Sequence, residues 1–307
     1  MRVIKGWVLA TFVLTFLVIV AGGIVRTTHS GMGCPDFPTC FGRWIPPMNA
    51  VDLPPDFEKY LNKQDIDHSF NALHTWIEYL NRLLGALLGF FGIIQCFLLF
   101  RKRTLLKQSF NLSLGFLAAV IITGLFGAVV VKLNLAQLSV SVHLLLAFVM
   151  TQIELALLLS LHKKIFSIPV STVFKRMITV LLVLVLLQSV LGTMVRMYVD
   201  DVSKILHYEQ RSSWLASTPV AFLIHRSFSW LILISAVFIA WRFRRITAVA
   251  KKLQLLLGLV LLNMIVGIIL FYADMPAVAQ PIHVLLASFA ITQTINVLLQ
   301  TKITSPS

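Results

Sequence analysis

Three histidines lie inside long apolar runs, His143, His225 and His283. Each sits roughly 6 to 8 residues from the outer end of its run, about 10 Å deep at 1.5 Å per helical residue. The context of His143, Val142-His143-Leu144-Leu145-Leu146-Ala147, returns 140 residues later as Ile282-His283-Val284-Leu285-Leu286-Ala287. Gly127 and Gly267 each precede their histidine by 16 residues, and Gly22-Gly23-Ile24-Val25-Arg26 answers to Gly192-Thr193-Met194-Val195-Arg196. Asn81-Arg82 aligns with His225-Arg226. A lone histidine within lipid usually bridges helices by a hydrogen bond. Matched depth and duplication instead favour a cofactor that takes paired imidazoles, and an iron macrocycle held in an apolar slot between helices is the natural candidate. A zinc site would want four converging ligands, which this spacing does not supply.

In the second half, His225 and His283 would hold a heme from its two sides. Such an iron is saturated and suited to electron transfer or structural support. In the first half the counterpart of His225 is Asn81, a poor iron ligand. The iron there has His143 and an open face, or His74 replaces the missing imidazole, since residues 74, 78 and 81 share one helical face. Glu78 lies on that face. It pairs with Arg82 one turn on, or it stands beside a substrate to transfer protons or stabilise a cationic intermediate. Arg26, Arg82, Arg196 and Arg226 either snorkel to the surface or bind the outward-pointing propionates of hemes. Glu154, on the opposite side of the membrane, reads as structural. Cys34 and Cys40 share a short outer loop where oxidation is possible, which favours a disulfide over zinc shared with His29. Cys96 reads as a small apolar residue.

The elements that must position these groups follow from composition. With 58% apolar and 12% charged residues and a mean hydropathy of +0.88, the chain reads as an all-α integral membrane protein. Apolar runs of spanning length fall near residues 6–25, 72–100, 110–132, 136–161, 174–198, 218–241, 253–272 and 277–299. The first ends without a clear small-x-small site and matches an internal span, so it reads as a helix rather than a secretory signal. Four spans per half predict two four-helix bundles, 1–165 with His143 and the cysteine loop, and 166–307 with His225 and His283. Even-numbered halves enter from one side, which predicts a pseudo-two-fold axis along the membrane normal. Five segments expected on one face, from Arg2/Lys5 to Lys302, carry 16 of the 26 basic residues and no acid. The positive-inside rule then places both termini in the cytoplasm and the loops near 27–70, 199–217 and 274 outside. The net charge of +14 is topology signal and calls for no nucleic acid. Residues 303–307 read as a short free tail.

The loop Arg26-Thr-Thr-His-Ser-Gly-Met-Gly-Cys34-Pro-Asp-Phe-Pro-Thr-Cys40-Phe-Gly42, followed by Ile45-Pro46, resembles the first extracytoplasmic loop of heme A synthases. So does Glu78-Tyr79-x-x-Arg82, and the duplicated eight-span plan and its histidines extend the resemblance over essentially the whole chain. It implies oxidation of the C8 methyl of heme O, by successive hydroxylations, to the formyl group of heme A, the cofactor of cytochrome oxidase. It implies a b-type heme on His225 and His283, a substrate site with His143 and the important carboxylate Glu78, and a redox-active or structural pair Cys34/Cys40. It further implies the bacterial cytoplasmic membrane, with an electron donor and the farnesyltransferase that makes heme O as partners. Two departures stand out: Asn81 replaces the family's usual histidine, and the loop after the fifth span has no cysteine pair.

A membrane b-type cytochrome that only relays electrons is the alternative; it would want paired imidazoles in both halves, which Asn81 opposes. A heme transporter would need a polar path across the membrane, and a prenyltransferase an aspartate-rich motif for magnesium diphosphate. Neither feature is present in the sequence. Reporter fusions test the charge reading: a cytoplasm-active reporter on either terminus should be active, and one inserted after Asp52 should be inactive.

Overall fold

The chain, seen in a computed structural model that describes residues 1–61 and 70–303, contains eight helices of membrane-spanning length and apolarity among its described residues. They are α1 (Arg2–Thr27), α3 (Ala72–Phe100), α4 (Lys107–Lys132), α5 (Gln137–Leu161), α6 (Thr172–Ile205), α7 (Val220–Arg242), α8 (Thr247–Tyr272) and α9 (Ala279–Gln300), with a short α2 (Glu58–Leu61) in the loop between α1 and α3. All eight spans fall where the apolar runs predict them. One boundary differs. At 34 residues α6 runs about 51 Å, well past a hydrocarbon core of about 30 Å. It continues beyond Arg196 because that side chain pairs with Asp200 at i+4, 2.8 Å away. Val199 is also fully buried in a cluster with Trp214, Leu215, Phe222 and Met275, so the extra turns have an apolar seat outside the span.

Two compact units are distinguished, Met1–Glu154 and Leu155–Ser307. In the second, α6 packs on α7, α7 on α8, α8 on α9 and α9 back on α6, a closed ring of four helices. Its segment before α6 is stitched to the end of the chain by two short parallel strands, β1 (Ile168–Val170) and β2 (Thr301–Ile303), in the register Ile168↔Thr301 and Val170↔Ile303. Ile303, expected in a free tail, is thus paired; residues 304–307 of that expected tail lie outside the described residues.

In the first unit α1 packs on α3 and α3 on α4. The Trp7 indole donates to the Phe91 carbonyl at 3.0 Å and stacks on the Phe91 ring at 4.5 Å, fixing the register of α1 on α3. Deeper in the unit, fully buried Glu154 of α5 accepts from Gln95 Nε2 of α3 at 3.0 Å, which accords with the structural reading of that carboxylate. The Cys96 thiol lies 3.1 Å from the Ser113 hydroxyl of α4 and is buried.

The loop between α1 and α3 is described except for 62–69, which lie outside the described residues. It is a small folded unit lying on the start of α3. Asn71 caps that helix by accepting from the His74 N–H at 3.1 Å. Cys34, Cys40 and Phe41 are buried, and Phe41 meets Tyr60 and Phe70 edge-on. Thr75 donates to the Gly33 carbonyl at 2.9 Å. A Cβ on Gly33 would lie 2.4 Å from the His74 carbonyl oxygen and 2.7 Å from the Thr75 nitrogen, so this backbone approach is open only to glycine.

Gly33→Ala is therefore expected to lift the loop from α3 at a cost of about 1–3 kcal/mol. Faster reduction of the Cys34–Cys40 bond by a mild external thiol and a lower Tm would show it. Gly6→Ala, where an added Cβ would meet no atom within 4 Å, should leave both unchanged.

Candidate functional site

The duplicated histidines sit on helices because their flanks are continuous apolar helix, and each ring lies against a glycine of a neighbouring helix. In the second unit a Cβ built on Gly192 of α6 would lie 3.2 Å from His225 Cε1, and one on Gly267 of α8 would lie 3.2 Å from His283 Cε1. In the first unit, Gly127 of α4 stands 3.5 Å from His143 Cε1 by the same measure. At Gly192 and Gly267 an added Cβ would press on the imidazole, whereas at Gly127 it would be in ordinary contact. The 16-residue interval from Gly127 to His143 and from Gly267 to His283 was visible in the sequence; the seat it forms was not.

His225 of α7 and His283 of α9 face each other, with ring centroids 6.4 Å apart and planes at 72°. Two metal–imidazole bonds of about 2 Å each, with the near half of each ring added, span roughly 6 Å. The separation suits one iron between the rings. His283 Nδ1 lies 3.1 Å from the Asn263 carbonyl, and donation to that oxygen leaves Nε2 as the lone-pair nitrogen. The carbonyl of His225 accepts from Gln188 Nε2 at 3.0 Å, tying α7 to α6 one turn from Gly192. His225 Nδ1 is buried with no hydrogen-bond partner among the described residues, a state that suits a ring awaiting a ligand-side partner better than a finished structural contact. Among the described residues no three His, Cys, Asp or Glu side chains converge as a metal cluster would require.

In the first unit the ring neighbour of His143 is Phe126, stacked at 6.4 Å and 18°. His143 Nδ1 and Asn81 Oδ1 are both buried and lack partners among the described residues. His74 lies in the first turn of α3, half-buried, with its backbone beneath Gly33 of the loop.

Glu78 and Arg82 form the i, i+4 pair that the sequence allowed, at 2.6 Å, and both are nearly buried. The structure adds what the sequence did not contain. Glu78 Oε2 accepts from the Cys34 N–H at 2.7 Å. Arg82 Nη1 donates to the carbonyls of Asp36 at 2.5 Å and Thr39 at 2.9 Å, and Nη2 donates to Cys34 at 2.7 Å. The ion pair thus grips the backbone of the loop between the two cysteines, which are disulfide-bonded to each other. Asp36, which sequence reasoning passed over, organises that loop from within: its carboxylate accepts from the N–H groups of Phe41 at 2.6 Å and Gly42 at 2.9 Å and from the Thr39 hydroxyl. An aspartate two residues after the first cysteine of a tight loop is the turn signal that could have found it.

The other arginines lie apart from the Glu78–Arg82 clamp. Arg26 ends α1, half-buried. Arg196 pairs with Asp200 and donates to Gln280 Oε1, and Arg226 is exposed, with its guanidinium 5.8 Å from the Phe222 ring centre.

Comparison with known proteins adds an independent line. Proteins named Heme A synthase are similar to parts of the chain: that of Shewanella oneidensis is 29% identical over 52% of this chain and 45% of its own. That of Nitrosomonas eutropha is 34% identical over 47% and 44%, and that of Cereibacter sphaeroides 30% identical over 63% and 54%. The chain spans about half the length of the curated relatives it matches. A family profile described as Cytochrome oxidase assembly protein, COX15-CtaA, matches residues 5–295, nearly the whole length and both histidine repeats. The chain belongs to the COX15-CtaA family of cytochrome oxidase assembly proteins.

Proposed function

We propose that this protein is a heme A synthase, oxidising the C8 methyl of heme O to a formyl group in two successive hydroxylations followed by loss of water. The observation that carries the reading is the facing pair His225 and His283, spaced for one iron and with one ring's tautomer set by the Asn263 carbonyl. Membership of a cytochrome oxidase assembly family and the relatives' name support the same chemistry. A b-type heme held between His225 and His283 would supply one-electron transfer.

The substrate heme belongs to the first unit, on His143. The chain's own residues divide the work there. The ring of Phe126 and the notch at Gly127 orient the imidazole. The clamped loop closes the outer end of α3 and keeps water from Glu78, whose carboxylate is the group able to hold or pass a proton beside the substrate. Arg82 holds that carboxylate in place and neutralises it. Arg226, exposed on α7, is the cation offered to a heme propionate, with Arg26 and Arg196 as further candidates that would exchange or share their present partners. The electron donor and the farnesyltransferase that supplies heme O act as partners, and the membrane is the bacterial inner membrane with both termini inside. A relay cytochrome without heme chemistry is the competing reading; the first unit, with Asn81 where a second imidazole would stand, is poorly built for it.

Expression in a host that makes heme O but no heme A, followed by extraction and chromatography, tests the proposal. Heme A or its hydroxylated precursor is the expected product, and unchanged heme O rejects the activity. Glu78→Gln should lower conversion by roughly 10²-fold or more while the low-spin spectrum of the second unit persists. Full conversion by that variant would leave Glu78 with only its role in the clamp. His225→Ala or His283→Ala should each remove the low-spin signature. Gly192→Val should weaken heme retention by crowding His225, whereas Gly258→Ala, with no atom within 4 Å of the added Cβ, should not.

A further inference from the structure

A groove of about 700 Å³ opens on the first unit where α4 begins, between one face of that helix and Ile153 of α5. Lys107, Gln108, Asn111, Leu112 and Gly115 follow one another along the α4 wall at helical spacing. The wall changes character along the axis: the three polar side chains are exposed at the start of the helix, and the apolar residues lie deeper. A Cβ on Gly115 would lie 3.9 Å from Ile153 Cγ2, so the two helices come together at that level. From there to Lys107 the groove runs about 12 Å along α4. Its mouth is basic. Lys107 has no carboxylate partner among the described residues. The turn before it adds Arg101, Lys102 and Arg103, and no Asp or Glu occurs between Glu78 and Glu154. The Arg103 guanidinium sits 4.0 Å from the Phe100 ring centre, and that ring is 5.8 Å from Phe110, one turn past Lys107, which keeps Arg103 beside the start of α4.

We infer that this groove binds one anionic phospholipid, with its phosphodiester against Lys107 and the amides of Gln108 and Asn111 and its hydrocarbon along Leu112, Gly115 and Ile153. The two ends of the groove ask for different chemistry, and such a lipid carries both. A soluble anion gains nothing from the apolar floor, and the ammonium of a zwitterionic lipid is repelled by the basic mouth. Width argues against a protein occupant: spread over its length, the volume gives a cross-section of roughly 60 Å², below the roughly 80–110 Å² of a helix 10–12 Å across. Basic pockets between spanning helices, at the end of the bundle where cations gather, are suited to anionic headgroups. Bound there, the lipid bridges α4 and α5, the helices that meet again further along at Gly127 and His143. The inference is independent of the proposed heme chemistry.

Native mass spectrometry of the full-length protein, delipidated in detergent and titrated with phosphatidylglycerol or phosphatidylcholine, reads the occupancy directly. One phosphatidylglycerol per chain should bind at least roughly tenfold more tightly than phosphatidylcholine, and added salt should narrow the difference. Lys107→Gln should weaken phosphatidylglycerol roughly fivefold in Kd and leave phosphatidylcholine unchanged. Gly115→Leu, which fills the floor, should weaken both lipids. Arg242→Gln, which removes a cation at the end of α7, should change neither. Lys107 is exposed, so its variant carries the test alone should Gly115→Leu fail to fold. Equal affinity for the two lipids, or phosphatidylglycerol binding unmoved by Lys107→Gln, reduces the groove to ordinary contact with the bilayer and overturns the inference. Undiminished binding in a folded Gly115→Leu overturns it by placing the lipid elsewhere. A dimer that Gly115→Leu abolishes, with no saturable lipid, overturns it in favour of a second copy of the chain as the occupant.

Discussion

Two histidines of the second unit sit so close to a glycine of the neighbouring helix that an added Cβ would crowd the ring, and the candidate site there is organised by that close approach. A Cβ at Gly192 or Gly267 would lie 3.2 Å from a histidine Cε1, tighter than an ordinary contact, and one at Gly127 would touch His143 at 3.5 Å. Close packing leaves little slack to move the helices apart, so the glycines fix how deeply each ring sits and which way its nitrogens point. In the second unit the closed ring of α6 to α9 brings two such rings to a separation of 6.4 Å. The Asn263 carbonyl then settles which nitrogen of His283 carries the hydrogen. A peptide carbonyl can do this because its acceptor capacity exceeds one bond, so α8 keeps its own helical hydrogen bonding.

The loop between α1 and α3 answers a second problem, that of holding a nearly buried carboxylate and guanidinium together. Removing either partner from a nearly buried pair leaves an uncompensated charge, which is costly. Here the backbone shares the load: the Cys34 N–H faces Glu78, and the carbonyls of Cys34, Asp36 and Thr39 face Arg82. The disulfide fixes the loop so that those carbonyls converge on one guanidinium, and Gly33 lets the loop lie directly on the helix that carries the pair. The proposed proton chemistry at Glu78 and the state of the disulfide are thus mechanically linked, since one oxygen of Glu78 is bonded to the amide of a disulfide cysteine.

Asn81 separates the enzyme from the relay reading. A protein that only passes electrons gains from keeping both irons saturated, because a ligand set that does not change on reduction needs little rearrangement. A protein that oxidises a heme side chain has a use for unequal sites. The two units share the glycine-histidine contact and differ at Asn81, the position on which the proposed division between them turns.

Much of this was legible in the residues themselves. Eight apolar runs fixed the spans, because the hydrocarbon core tolerates little else than helix. The duplicated histidines and the paired cysteines marked the candidate site, because polar residues in such a chain are few and therefore informative. The i, i+4 spacing of Glu78 and Arg82 allowed their salt bridge, which helix geometry alone can supply. Tertiary structure decided what local spacing cannot express. It decided that α6 continues to Ile205, since burial of Val199 against Trp214 depends on a segment met later in the chain. It decided that Arg82 grips loop carbonyls 43 to 48 residues away, and that a carbonyl of α8 orients a histidine of α9. Backbone acceptors carry no sequence signature, so the partners they choose appear only once the chain is folded.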